Sequence, residues 1–518
     1  MSLKLMLEKV AGQYREKTAI VSGECRLSYA DLDKASNKVA NALIRKGVNR
    51  GDRVAMLLSN SPEFVITFFG IVKAGAIAVP LDPQYRLEEL AALFNDCQPV
   101  ALVTESPTLE PLIPFLSRFR SIKNVIDLSS TGDGQFLSYQ EMIATSPAQR
   151  IEIEPEPDDI AVILYTSGPT FLPRGVMLSH GGLVNEAAVM SDAFQQTDKD
   201  VAMLYALPMY HVFGLVGVLL AAVSKGSTVV IVPGTGLSIG SFMAAIEREK
   251  GTMFLGVPYI FALAVDMAEK EGIKNDLSSL RLCSSSADFL PTRISKRFEE
   301  LYGFKILNCL GLTEAFCYVT CPSLNGGGKS GSVGKALPGW EIKIVDDNDR
   351  EMPPKQAGEI VLRGPFMSGY YNNPQATAKV VKDGWLHTGD IGKIDKAGNL
   401  FVIGRKKDII IVKGQNIHPG DVEAVLYQCP QLAEAAVIGV PDEMRGEVVG
   451  AVVSLKKGAT ATEQDIKRWC LDRLASYKVP KQIFFLDSLP RNAGGIMNKE
   501  SIRRHLSIPS PLLRVDIP

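Results

Sequence analysis

The sequence predicts an α/β protein, a large N-terminal unit of sheets layered with helices followed by a small α+β unit, and three observations carry this. Short apolar, β-rich runs alternate with helical patterns along most of the chain, the rhythm of strands covered by helices. At 518 residues, 46% apolar and 22% charged, the chain can bury large cores and is too long for one ordinary domain. A charged cluster, Gly404-Arg405-Lys406-Lys407-Asp408, interrupts two β-rich stretches and sets a boundary between residues 1–404 and 409–518, with 405–408 between them.

Taken in order, Ser28 can cap a helix running to Lys46, with Leu32, Ala35, Val39 and Leu43 on one face and Gly47 past its end. A strand over 54–58, a helix over 63–74 and an apolar run over 76–79 ending in the turn at Pro80, Asp82 and Pro83 give a βαβ unit. Another apolar strand occupies 160–164. The longest apolar run, 212–223, is shorter than the roughly 20 residues that cross a bilayer and reads as a buried helix. Strands are expected over 228–232, 254–257, 343–345 and 400–403. Beyond the charged cluster they are expected over 409–412, 435–440 and 448–455, with Glu-rich helices between.

A formal net charge of −1 and no long Lys/Arg cluster argue against nucleic acid as a partner. Residues 1–17 lack a signal-peptide core, so a cytoplasmic protein without a transmembrane segment is expected. Of eight cysteines, only Cys317 and Cys321 have a helical metal-like spacing, with no His nearby to complete a site, so reduced core thiols are expected.

After the strand at 160–164 comes Tyr165-Thr166-Ser167-Gly168-Pro169-Thr170-Phe171-Leu172-Pro173-Arg174-Gly175-Val176. Small residues in such a loop let backbone N–H groups and hydroxyls reach phosphate oxygens, while a cation adds charge. The segment resembles the phosphate loop YTSGTTGxPKGV of the adenylate-forming enzymes, and more narrowly of AMP-forming acyl-CoA synthetases like the long-chain-fatty-acid–CoA ligases. It departs in three places. Pro169 removes a hydroxyl and a donor and fixes φ, Phe171 replaces a Gly, and Arg174 replaces the Lys.

Further segments resemble that family in the same order. Pro208-Met209-Tyr210-His211-Val212-Phe213-Gly214 is similar to PLFHxxG, and Gly311-Leu312-Thr313-Glu314 to GxTE. Gly384-Trp385-Leu386-His387-Thr388-Gly389-Asp390, the charged cluster and Lys413-Gly414-Gln415-Asn416-Ile417-His418-Pro419 follow. In Leu489-Pro490-Arg491-Asn492-Ala493-Gly494-Gly495-Ile496, Ile496 stands where the family's adenylation lysine would be.

The resemblance implies roles. Thr166, Ser167, Gly168, Thr170 and Arg174 would hold phosphates of ATP, with Thr313 at the α-phosphate and Glu314 carrying Mg²⁺. Leu310, Gly311, Ala287 and Asp288 would border the adenine, although Leu310 replaces the usual stacking Tyr and Asp288 and Phe289 alter a small-residue shelf. Asp390 and Arg405 would hold the ribose. His211 would face the carboxylate, with Tyr210, Phe213, Gly256, Tyr259 and Val319 around the acyl tail. Lys413, Gly414 and Gln415 would line the pantetheine tunnel, and Lys407 would be the hinge of a mobile C-terminal domain.

The implied function is a ligase joining a fatty or aromatic carboxylic acid to coenzyme A through an acyl-AMP. Two alternatives stay open because of Ile496 and the altered loop: an enzyme forming thioesters from preformed acyl-AMP, and a non-catalytic acyl- or nucleotide-binding protein. The partners are then a small carboxylic acid and CoA, with a homodimer left open.

Overall fold

A computed structural model describes residues 1–129, 136–166, 173–232, 239–324, 328–412, 415–442, 446–491 and 497–508. The expected α/β class and its two-unit organisation are what it shows. Two large, mostly parallel sheets form the N-terminal part. One orders its strands Ile306–Asn308, Leu282–Ser285, Met253–Gly256, Val201–Leu204, Thr228–Ile231, Thr18–Ser22 and Cys25–Ser28, parallel except for the last pair. The other runs from Gly369–Tyr370 through Arg174–Ser179, Ile160–Thr166, Ile77–Pro80, Arg53–Leu57, Ala101–Thr104 and Asn124–Asp127 to Leu137–Ser138. Residues of both sheets, among them Ile20, Val229, Val54 and Val162, share one apolar core.

Local chemistry explains the elements that position the site. Ser28 accepts from the Asp31 N–H at 3.1 Å while Asp31 accepts from the Ser28 N–H at 3.2 Å, a capping box that starts helix Tyr29–Arg45. That helix packs on Pro62–Lys73, where a Cβ at Gly70 would lie 2.5 Å from Val39. The buried run expected as one helix is instead π-helical over Phe213–Leu220 and α-helical over Ala221–Lys225. Its entry is tight, since a Cβ at Gly214 would lie 2.3 Å from the Pro208 carbonyl oxygen, and the wider turn begins at that point.

A third, antiparallel sheet joins Glu341–Val345, Gly358–Arg363, Trp385–Ile394, Val381–Lys382 and Leu400–Arg405. From Ile410 onward the chain builds separate apolar cores, centred on Ile417, Val437, Val453 and Ile466 on one side and Ile438, Val452 and Ile502 on the other. They lie on the two faces of a sheet ordered Gln415–Ile417, Ile410–Val412, Gly446–Leu455 and Leu432–Asp442, with Gln482–Phe485 parallel to Gly446–Leu455. Helix Pro419–Leu426 of this unit meets the edge of the third sheet, where a Cβ at Gly420 would stand 2.1 Å from the Ile403 carbonyl oxygen.

Candidate active site

Thr166 and Arg174 face each other at the open end of the antiparallel pair formed by Ile160–Thr166 and Arg174–Ser179. The segment joining them, with Ser167, Gly168, Pro169, Thr170 and Phe171, lies outside the described residues. The Arg174 guanidinium sits 5.2 Å from the centroid of the Tyr370 ring, and the Tyr370 hydroxyl donates to Glu314 Oε1 at 2.8 Å. Burial, and then the adjacent Glu314 carboxylate, push the Tyr370 phenol well above its ordinary range, so it stays a donor. Cation, phenol and carboxylate thus form a chain of contacts at the mouth of the loop.

Glu314 belongs to a short 3-10 turn, Thr313–Ala315, whose backbone is tied by the Met367 N–H donating to the Glu314 carbonyl at 2.7 Å. Gly311 pairs with Tyr318 across this turn, and a Cβ there would lie 2.2 Å from the Cys317 carbonyl oxygen. Only glycine fits. Thr313 and Leu310 are buried, the Leu310 N–H donating to Thr320 Oγ1 at 3.1 Å. Val319 is fully buried, and its N–H donates to the Leu310 carbonyl at 2.9 Å.

Asp390 and Arg405 are cross-strand partners in the third sheet, with Arg405 Nε 3.1 Å from Asp390 Oδ1. Asp390 is buried, whereas the Arg405 side chain is more than half exposed. The Asp390 carboxylate, with smaller contributions from Asp408, Glu314 and Asp288, holds the guanidinium above its usual value. Arg405 therefore lies within electrostatic reach of Asp390, Asp408, Glu314 and Asp288 at once.

Around His211, the Phe213 N–H donates to His211 Nδ1 at 3.2 Å, which leaves the proton on Nε2. Burial pushes His211 down to about 4, so it is a neutral donor near pH 7. Tyr210 is bonded to Asp82, whose carboxyl is raised by burial. Phe213 and Tyr318 rings lie 5.5 Å apart, and a Cβ at Gly256 would press on the Phe254 ring at 2.9 Å. Tyr259 carries the Arg491 guanidinium 4.1 Å from its ring centroid. Behind this wall, Glu186 accepts from the Tyr318 N–H at 2.8 Å, its other oxygen is buried with no hydrogen-bond partner among the described residues, and burial pushes the carboxyl up to about 8.

Ala287 and Asp288 follow the strand Leu282–Ser285, with Ala287 in the left-handed region at φ +75°. Gln415 lies on a strand opposite Val412, and Lys407 in the turn Lys406–Asp408. Lys413, Gly414 and Ile496 fall outside the described residues. Sequence reading missed Tyr370, Asp82 and Arg491 as members of the site. Asp82 was legible only as a turn residue, and Tyr370 had no signal beyond an aromatic after a glycine.

A family model described as AMP-binding enzyme matches residues 7–371, and one described as AMP-binding enzyme C-terminal domain matches residues 421–495. The chain belongs to this family of adenylate-forming, AMP-forming acid–CoA ligases. It is 33% identical over 547 residues to a long-chain-fatty-acid–CoA ligase of Bacillus subtilis (strain 168), covering 98% of this chain and 96% of that one. An indoleacetate–CoA ligase of Aromatoleum aromaticum (strain DSM 19018 / LMG 30748 / EbN1) is 35% identical over 513 residues, covering 97% and 98%. Among solved structures, the anthranilate CoA ligase AuaEII in complex with anthranoyl-AMP superposes with a TM-score of 0.92 at 28% identity, covering 98% of this chain and 97% of that one. A value that high over both units requires their arrangement to agree as well.

Proposed function

We propose that this protein joins an aliphatic or aromatic monocarboxylic acid to coenzyme A, with ATP forming the acyl-AMP in the cleft between the two units. The observation that carries this is the continuous set Arg174, Tyr370 and Glu314, sharing its field with Asp390 and Arg405. Arg174 supplies positive charge beside the loop that precedes it, and Thr313 sets the α-phosphate. Asp390, oriented by Arg405, accepts from the ribose hydroxyls. Among the described residues no three His, Cys, Asp or Glu side chains gather to hold a metal alone. A single carboxylate completed by phosphate oxygens is, however, how Mg²⁺ is commonly held, and Glu314 fits that part; the ion would neutralise phosphate charge.

The acid lies with its carboxylate toward the neutral His211 Nε2–H and its tail among Phe213, Gly256, Tyr259 and Val319. These groups offer an apolar tail good contact and a second charge none, which favours fatty and aryl acids. Rotation about residues 405–408 then presents the Lys413-Gly414-Gln415 segment to pantetheine, and the CoA thiolate displaces AMP.

The test is a panel of fatty and aromatic acids with MgATP and CoA, scored for AMP and thioester together. Thioester with apolar acids and none with dicarboxylic acids supports the reading. AMP and thioester from dicarboxylic acids alone would refute the assigned tail pocket.

A further inference from the structure

We propose that Glu359 is a positioning residue for nucleotide binding: its buried carboxylate bridges the two strands that carry Asp390 and Arg405 and so aims Asp390 at the ribose hydroxyls. This rests on the ribose assignment above. Glu359 lies on the strand Gly358–Arg363 and is 9% exposed. Its Oε1 accepts from the Gly389 N–H at 3.1 Å, and its Oε2 accepts from Lys406 Nζ at 3.1 Å. Gly389 directly precedes Asp390, and Lys406 directly follows Arg405. One carboxylate therefore holds the chain on both flanks of the Asp390 and Arg405 pair, whose own separation is 3.1 Å.

The pairing of the strands shows what is held. Glu359 stands opposite Ile391 and Val361 opposite His387, so Ile360 alone faces Thr388, Gly389 and Asp390. A bulge of this kind interrupts the ladder and re-aims the side chains of the longer strand. Side chains close its backbone instead: Thr388 Oγ1 donates to the Ile360 carbonyl at 2.8 Å and accepts from the Asp390 N–H at 3.0 Å. Gly389 takes φ +72°, the left-handed region that a glycine enters at little cost. Outside the ladder, its N–H still needs an acceptor, and Glu359 supplies it.

A buried carboxylate is costly unless it is paired and hydrogen-bonded. Glu359 meets that condition through Lys406, which also reaches Asp347 at 3.0 Å. His387 lies alongside, its Nδ1 3.5 Å from Glu359 Oε2 and its Nε2 3.7 Å from Asp349 Oδ1. An apolar side chain at this position would escape the cost of burial. It would also leave the Gly389 N–H without its acceptor and the bulge without its tie to Lys406. What the carboxylate contributes is thus local, a fixed shape for the turn of chain that carries Asp390.

The test titrates full-length wild type, Glu359→Ala and Glu359→Gln with AMP and with its 2′-deoxy and 3′-deoxy analogues, by calorimetry. Wild type should prefer AMP to at least one analogue by roughly tenfold or more, the worth of a hydrogen bond to a carboxylate. In Glu359→Ala that preference should fall below about threefold, and exchange of the Gly389 amide should speed up roughly tenfold or more. Glu359→Gln, whose carbonyl still accepts from Gly389, should keep both near wild type. Glu359→Met fills the space without a carboxylate and takes the place of the alanine variant if that one unfolds. A preference for AMP that survives in these loss variants, even with all three nucleotides bound more weakly, overturns the proposal and leaves the ribose assignment standing. A wild type that binds AMP no better than either analogue, or not at all, refutes that assignment and this role with it.

Discussion

Tyr370 connects two opposite charges, its ring under Arg174 and its hydroxyl donating to Glu314. Removing its hydroxyl leaves Glu314 free to swing, so Tyr370→Phe should lower kcat/KM for MgATP about tenfold, with thioester formation from acyl-AMP unaffected. Stopped-flow measurement of the two half-reactions checks this. Residue 496 carries the opposite expectation. A preorganised cation at this position is worth roughly 100- to 1000-fold, so Ile496→Lys should raise the rate of acyl-AMP formation toward that range. A rapid-quench assay of acyl-AMP would show it. Residue identity in motifs singled out Glu314, Asp390, Arg405 and His211 as candidates from the sequence alone. Tyr370 and Arg491 were not, because their roles arise from strand pairing and domain docking that bring distant segments together.

At the scale of elements, the turn Thr313–Ala315 depends on Gly311. Gly311→Ala drives a Cβ into the Cys317 carbonyl, and such overpacking typically costs about 1–3 kcal/mol, so a lower Tm and loss of activity should appear together. Strands with a plain apolar run, such as Arg53–Leu57 and Thr228–Ile231, were readable to within a residue or two. The third sheet was largely hidden, since Trp385–Ile394 carries His387, Gly389, Asp390 and Gly392 and shows no clean alternation. The π-helical start of the 213–225 segment was also hidden, because an all-apolar run carries no periodicity that separates a π-helix from an α-helix. Helix His180–Ala193 buries Glu186. Its folded carboxyl titrates near 8 against 4.5 ordinarily, so between these values the native state keeps a proton that the unfolded chain releases. The stabilisation it contributes is complete below 4.5 and is lost as pH rises through 8. Relative to Glu186→Gln, the wild type should therefore lose Tm as pH rises from about 4.5 to about 8 and change little beyond, by an amount worth a few kcal/mol at most.

Across the whole molecule, the candidate site draws on residues of both units. Arg405 lies just before the second core begins and feels Asp288, Glu314 and Asp390 at once, while Met497 and Arg491 reach back to Asp288 and Tyr259. Composition and the charged cluster pointed to two units; how they close could not be read from either, since it rests on single hydrogen bonds and ring contacts. In the described residues no helix is long and apolar enough to cross a membrane. The most direct measurement is the stoichiometry of AMP and acyl-CoA formed from ATP, CoA and a fatty or aryl acid by wild type and Glu314→Gln. One AMP per thioester is expected, with Glu314→Gln slower by roughly 100-fold or more as a lost preorganised charge would make it. Thioester without AMP, or a Glu314→Gln enzyme as fast as wild type, would contradict an ATP-driven ligase centred on this carboxylate.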